Sequence, residues 1–425
     1  MKYFFISLSV LMLLSCAEKD NNAITNKGDY NAYLSSEAPK TTSKYFELWH
    51  SKIRPDSMQL LSFGVVGGEY NRYFQQTGDI EFLKKAEHAL KKAVDIAAIG
   101  KAGYYRALAR NYISQHRFKE ALQLADSAQV MGSGKTDTQA LLFDVHMELG
   151  NYQKAEKYLN SIKNMSDFGY LIRLAKWNDY KGDLNTTIKF MEIAKGKAED
   201  SKNKDLMLWS YTNLGDYYGH AGRIDDSYQH YLKSLELDPQ NAYAKKGIAW
   251  IVFSYEKNPE EALRILDSIT KNQKAPDYYL LKSEIAEYMG DDKESLANLD
   301  LYFKVLENPA YGVMYNAHNI SLYLERTEQY GKALRLAKKE VDNRSTPESY
   351  SLLAYAYLKN GEKEKALELV ETQIDGKTFE PGILYYAAEI YKANNKDSKV
   401  QGLKNELLGA VYELGPSMQR SIANL

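Results

Sequence analysis

Ten times along this chain a small or β-branched residue returns at nearly the same interval. The markers are Ala86, Ala121, Ala155, Thr187, Ser227, Ala262, Ser295, Ala333, Ala366 and Val400, separated by steps of 35, 34, 32, 40, 35, 33, 38, 33 and 34 residues. A step of this size is too long for one ordinary helix and suits a hairpin of two. Turn signals fall between the halves, at Gly78-Asp79, Gly150-Asn151, Gly182-Asp183, Gly222, Gly290-Asp291 and Gly361. Pro276, Pro347 and Pro381 fall where first helices open, a place where a missing N–H costs nothing. A chain built this way buries each hairpin against its neighbours. Its 425 residues therefore do not translate into a count of globular domains, and its 44 % apolar content is enough for a continuous core.

The clearest unit runs from Leu206 to Asn241. Its first helix carries Tyr211, Leu214, Gly215 and Tyr218; a turn follows at Ala221-Gly222-Arg223; the second helix carries Ser227, Tyr231 and Ser234, and Pro239 ends it. The apolar positions share one helix face. The small residues sit where the two helices come closest, and the glycine permits a tight turn. This spacing resembles the tetratricopeptide repeat (TPR). The resemblance implies an all-α fold, a superhelical solenoid of about ten hairpins from residue 57 to 425, extended as one elongated array without sheet. Four irregularities stand out. Bulky Phe143 sits at a small position of the third unit, and the sixth unit is one residue out of frame between its helices. The step of 40 predicts an extra loop around Glu199 to Lys204, and the tenth unit has Val400 where alanine is usual.

The N-terminus is different in kind. Residues 1–15, MKYFFISLSVLMLLS, pair a short basic start with an apolar run too short to span a bilayer as a helix. The run ends at Cys16, the one cysteine of the chain. The Leu13-Leu14-Ser15-Cys16 sequence resembles a bacterial lipobox, which implies a signal peptide over 1–15 and lipid on the Cys16 thiol. Ala17 resembles outer-membrane sorting, and Glu18 and Asp20 faintly resemble the acidic export tag of Bacteroidetes surface lipoproteins. The expected location is the outer membrane, periplasmic face or cell surface. Residues 16–42 are polar and read as a flexible tether. Residues 43–56 read as a short amphipathic capping helix carrying Tyr45, Phe46, Leu48, Trp49 and Ile53, ended by Pro55.

Signatures of chemistry are sparse. A net charge of −1 argues against nucleic acid as a partner, which calls for a basic face. Gly132-Ser133-Gly134-Lys135-Thr136 looks like the end of a phosphate loop, but Gln129 stands where its first glycine is required and a helix precedes it, so it reads as an inter-repeat loop. The seven histidines form no metal-binding spacing. Asp225-Asp226 and Asp291-Asp292 lie at helix starts, where carboxylates meet the helix dipole. The sequence predicts no enzyme activity, no cofactor and no metal.

What remains is the groove. In TPR proteins the first helices line a concave surface, and carrying those positions over gives Arg106 and Arg110 in the second unit. The third unit gives Asp144, Met147 and Glu148; the fourth Ile172, Lys176, Asp179 and Tyr180; the fifth Trp209, Thr212, Asp216 and His220. Later units add Tyr355 and Glu389. One position runs Arg110, Asp144, Lys176, Asp216, alternating in sign, so adjacent helices can also pair these charges with each other. The Lys/Asn clamp of chaperone-binding TPRs is absent. The expected function is a membrane-anchored scaffold that binds protein or peptide partners along this groove. The competing reading, a SusD-like carbohydrate- or solute-binding lipoprotein, needs long insertions that the repeats do not show.

Overall fold

The computed structural model describes residues 23–34, 37–54, 56 and 58–425. The lipidation expected at Cys16 lies outside the described residues. Among them there is no strand. Two short helices come first, α1 (Lys27–Leu34) and α2 (Lys44–His50), the latter laying Phe46 against Tyr70 and Tyr73 of the first hairpin. Ten hairpins then follow. α3 (Leu60–Thr77) pairs with α4 (Ile80–Ile96), α5 (Lys101–Ser114) with α6 (Phe118–Met131), and α7 (Lys135–Glu148) with α8 (Tyr152–Ser161). Next come α9 (Phe168–Tyr180) with α10 (Leu184–Ser201) and α11 (Lys204–His220) with α12 (Ile224–Leu237). The second half continues with α13 (Ala242–Trp250) and α14 (Pro259–Thr270), α15 (Asp277–Tyr288) and α16 (Asp292–Val305), and α17 (Asn316–Glu325) and α18 (Tyr330–Asn343). The last two pairs are α19 (Pro347–Lys359) with α20 (Lys363–Leu369) and α21 (Pro381–Ala393) with α22 (Asp397–Gly409), before the short α23 (Val411–Leu414) and α24 (Met418–Ala423).

The local reasons are those of the repeat. Gly78, Gly150, Gly182, Gly222, Gly290 and Gly361 all take φ between +64° and +82°, the left-handed conformation the intra-hairpin turns require. Asp79, Asp183 and Asp291 then cap the second helices, each accepting from a backbone N–H in the first turn. At Gly215 a Cβ would lie 2.6 Å from the Tyr231 ring, so glycine there lets α11 and α12 close together.

Three irregularities resolve physically. In the sixth unit the out-of-frame residue is absorbed by a π-helical turn, Ile251–Tyr255, continuing α13. The step of 40 does not make a loop. Its extra residues lengthen α10 and α11 to 18 and 17 residues, separated by Lys202 in the left-handed region and Asn203, which caps α11. The step of 38 contains a 3₁₀ turn, Pro309–Tyr311, whose Tyr311 packs on Ile80 and Leu83 of the first unit.

That last contact shows that the array is not elongated. The solenoid completes a superhelical turn and closes on itself, the turn tips of early units resting on inter-unit loops of late ones. Lys274 N donates to Thr77 O at 2.7 Å and its ammonium meets Asp79 at 2.8 Å. Asn343 Nδ2 donates to His116 O at 3.3 Å, and Gly150 abuts the Ser345 carbonyl so closely that a Cβ would sit 2.4 Å from it. Phe379 covers Gly182 in the same way. Finally α23 crosses back onto units five and six, where the Tyr412 carbonyl accepts from Ser254 Oγ at 2.7 Å and from Trp250 Nε1 at 3.1 Å. The expectation of an extended rod missed these seams because they join residues more than 150 positions apart, each through a few side chains without periodicity.

The segment expected to be a tether also differs in its described part. α1 docks across α12 and α14, burying Tyr30 to 1 % exposure among Tyr228, Phe253 and Ile265. The Tyr30 hydroxyl donates to buried Glu261 at 2.7 Å, and Glu256 accepts from the N–H groups of Ile24 and Thr25 at 2.9 and 2.6 Å. Polar composition concealed this because much of the attachment is made by hydrogen bonds, with Tyr30 as its one fully buried anchor and Ile24, Tyr33 and Leu34 packed partly buried beside it.

Candidate functional site: a pocket closed across the superhelix

Because the coil closes, the first helices of units three to five do not face open solvent. They face the loops of units eight to ten and the returning C-terminus, across a cavity of about 430 Å³. Six of the residues expected in the groove meet there: Met147 and Glu148 from α7, Lys176, Asp179 and Tyr180 from α9, and His220 from the end of α11. The opposite wall consists of Arg344, Glu348, Phe379, Glu380 and Glu413. Sequence reasoning missed that wall, because its residues occupy no concave position of a repeat and only closure of the superhelix brings them in.

The two ends of the cavity differ electrically. At one end every charge is paired. Lys176 Nζ meets Glu148 at 2.7 Å, and Arg344 reaches Glu348 at 2.5 Å, Glu340 at 3.0 Å and Glu148 at 3.8 Å. Burial opposes the charge on both Lys176 and Glu148, yet each holds the other ionised: the lysine titrates above its ordinary range and the glutamate below. At the other end Asp179, Glu380 and Glu413 converge. Among the described residues neither Asp179 nor Glu380 has a cation within 4.0 Å, and Glu413 has only the His220 ring at 4.0 Å. Burial, then Glu413 and Asp179, push the Glu380 carboxyl up to about 7. Burial and Glu413 raise Asp179 as well, against the pull of His220 and Lys176.

Between the ends lies aromatic surface. Tyr152 and Tyr180 stack with ring centroids 4.0 Å apart, and Phe379 stands 54 % exposed at the rim.

Most of the remaining expected groove residues are engaged elsewhere. Arg106 donates to Ser133 O at 2.8 Å and to Thr138 Oγ1 at 3.1 Å, with its guanidinium against Gly134, so it braces the loop that resembled a phosphate site. Asp144 pairs with Arg173 at 2.5 Å. Asp216 accepts from Tyr231 and Tyr243 at 2.6 and 2.7 Å. Thr212 is buried and bonds its own helix at Leu208 O and Trp209 O. Trp209 is 39 % exposed, edge-on to Phe168. Arg110 is water-accessible but enclosed by the coil, with no cationic-anionic pair within 4.0 Å among the described residues. Burial, then Arg173, lower its pKa against the pull of Asp144. Adjacent first helices do pair their charges, through Asp144–Arg173 and Glu148–Lys176, although the alternating position does not pair with itself. Among the described residues no group of three or more His, Cys, Asp or Glu side chains is placed to hold a metal, and no helix is long and apolar enough to cross a membrane.

Comparison with known proteins bears on the repeats alone. The tetratricopeptide-repeat family profile matches residues 210–241 and 347–375, the fifth and ninth units. Anaphase-promoting complex subunit 7 of Arabidopsis thaliana is 26 % identical over 148 residues, 34 % of this chain and 25 % of that protein. Photosystem I assembly protein Ycf3 of Synechococcus sp. (strain CC9311) is 27 % identical over 94 residues, 22 % of this chain and 53 % of that one. The chain thus spans between a quarter and about half of the curated relatives it matches. Among solved structures, the human IFIT1 dimer with PPP-AAAA aligns at a TM-score of 0.44 and 12 % identity, covering 80 % of this chain and 95 % of that one. The APC/C hetero-tetramer Cut9-Hcn1 aligns at 0.35 and 15 %, covering 86 % and 75 %.

Proposed function

We propose that this chain is a membrane-anchored, non-catalytic scaffold that holds a segment of a partner protein in the pocket between units three to five and units eight to ten. The observation that carries the reading is the cavity of about 430 Å³, which combines exposed aromatic surface at Phe379 with unpaired charge at Asp179 and Glu380. A solenoid core has no need of unpaired carboxylates gathered at one end of a cavity, and half-buried Asp179 gives up part of its hydration there. TPR repeats at units five and nine support a protein as the partner class.

Anchoring rests on Cys16 after its apolar run. Seven residues (17–23) separate it from Ile24, the first docked position. Fully extended they reach at most about 25 Å. A lipid on Cys16 would therefore hold the convex side of units five and six close to the bilayer and leave the pocket facing away from its anchor.

A photo-crosslinking amino acid placed at Phe379, in cells that produce the full chain, tests the reading. Discrete protein adducts are expected from Phe379 and none from Lys233, an exposed residue of the second helix of unit five. Adducts from Lys233 alone would move the binding face to the convex side. Retention of a Cys16→Ser protein in the membrane fraction, with no acyl label on the wild type, would remove the anchor from the proposal.

A further inference from the structure

The closed pocket has a specificity that the repeat pattern does not supply. We infer that its acidic end takes the lysine or arginine side chain of the bound partner segment, so that the scaffold selects basic peptide sequences. This inference rests on the partner-binding reading above and names the chemistry of that site.

Three elements from distant parts of the chain build the acidic end: Asp179 closes α9, Glu380 precedes α21, and Glu413 lies in α23. The cations already in the pocket are committed. Lys176 serves Glu148, Arg344 serves Glu340 and Glu348, and Lys377 Nζ donates to Thr372 O at 2.5 Å. The compensating charge left to this end is His220, 4.0 Å from Glu413, with a weaker pull from Lys176 on Asp179. Three converging carboxylates facing one imidazole leave net negative charge at this end, with Asp179 and Glu413 half-buried and Glu380 reached by water. A cation on a long aliphatic stem fits the rest of the lining. Its methylenes can lie on Met147, Leu184 and Ile383, and the Tyr152–Tyr180 stack and Phe379 offer ring faces to an ammonium or guanidinium. An acidic or phosphorylated segment would meet the same carboxylates with repulsion.

Glu380 turns this into a proton linkage. With its carboxyl pushed up to about 7 by burial, Glu413 and Asp179, part of the population carries a proton there near neutrality. An arriving cation favours the ionised form, so binding must release protons and strengthen as pH rises through that range. The groups facing Glu380 are Glu413, Asp179 and Glu348, which raise its pKa, and His220, which lowers it.

The test uses the full chain in detergent and a fluorescein-labelled octapeptide with two lysines among glycine and serine. Expected results are saturable binding, at least tenfold loss when both lysines are acetylated, and a similar loss in Asp179→Asn/Glu380→Gln. Both substitutions are near-isosteric. Should that double variant misfold, Glu413→Gln alone must still weaken binding. Equal affinity for the acetylated peptide, or undiminished affinity in the variants, overturns the inference. So does spermidine binding more tightly than the peptide with the same variant dependence, which would make the site one for free polyamines. The two readings fail separately. Phe379 adducts that persist undiminished in the double variant sink only the lysine or arginine specificity. Lysine-peptide binding without any Phe379 adduct sinks only the scaffold role.

Discussion

Ser254 and Tyr412 stand 158 residues apart in the chain, and the hydroxyl of one donates to the carbonyl of the other at 2.7 Å. The bond fastens the C-terminal segment onto unit six, where Trp250 Nε1 reaches the same carbonyl. Gly415 makes the approach possible: its φ is +85°, and a Cβ there would lie 2.7 Å from Glu284 Oε1 and 3.2 Å from Trp250. Gly415→Ala should therefore undock α23 while leaving the hairpins formed. Amide hydrogen exchange should accelerate at residues 411–415 with far-UV circular dichroism unchanged. Unchanged exchange there would mean that the clasp contributes nothing to closure.

The seam can be weighed with a matched pair of glycines. Gly150 and Gly222 turn the third and fifth hairpins with φ of +73° and +71°. Around Gly222 a Cβ meets nothing within 4 Å; at Gly150 it would strike the Ser345 carbonyl of the opposite wall. Gly222→Ala should cost about 1 kcal/mol, the price of left-handed backbone without glycine. Gly150→Ala carries the same backbone cost and must also push the seam apart, so its loss should be larger by about 1 kcal/mol or more. Urea unfolding of the two variants reads the difference. Equal losses would mean that the seam is loose.

How much of this was legible in the sequence follows from the range of each signal. Gly215, Tyr231 and Ser227 act within one hairpin, so their spacing announces the repeat. Phe143 broke the small-residue rule and is nonetheless wholly buried, packed in one cluster with Ala155, Leu159 and Tyr170. The site was half visible. Lys176, Asp179, Tyr180 and His220 occupy repeat positions that point inward. Glu380 and Glu413 lie in a loop and a terminal turn, where no periodicity speaks, and their role depends on superhelical closure. The steps of 38 and 40 were the available clues: the first supplies a seam contact through Tyr311 and the second lengthens two helices.

Two carboxylates with raised pKa values make a pH-dependent prediction. Burial, then Glu287, push Glu284 up to about 7 against the pull of Arg326, and Glu380 is raised to the same value. An acid that titrates higher folded than unfolded stabilises the fold at low pH, and that contribution is lost as pH rises from about 4.5 through about 7. Four histidines, His116, His146, His230 and His318, are lowered by burial and act in the opposite sense as pH falls through about 6.5, so the total profile mixes both. The difference between Glu284→Gln/Glu380→Gln and wild type isolates the carboxylates. The variant should melt higher at pH 8, and its advantage should shrink as pH falls through about 7 and approach zero only below about 4.5. A constant offset across that range would show that neither carboxylate is strained by its surroundings.

Tyr30 decides whether the N-terminal segment travels with the array. Its ring fills a hole between the second helices of units five and six, and its hydroxyl bonds Glu261, which also holds Lys27 at 2.8 Å and Arg264 at 2.6 Å. Removing a buried aromatic ring typically costs roughly 3–5 kcal/mol. Here the loss cannot exceed the docking energy of residues 24–34, because once that segment lifts off nothing further is at stake in the hairpins. Tyr30→Ala should therefore make residues 24–34 protease-sensitive at near-native helicity, whereas Tyr30→Phe should weaken docking by only about 1–3 kcal/mol, the cost of a lost hydrogen bond to a buried carboxylate. Glu261 keeps Arg264 in either variant, even where Lys27 leaves with the segment, so the convex face should not collapse. Limited proteolysis followed by mass mapping distinguishes the outcomes. Cleavage spreading into α12 and α14 would show that α1 is part of the core, and protection of residues 24–34 in Tyr30→Ala would show that the backbone bonds to Glu256 hold the segment without its aromatic anchor.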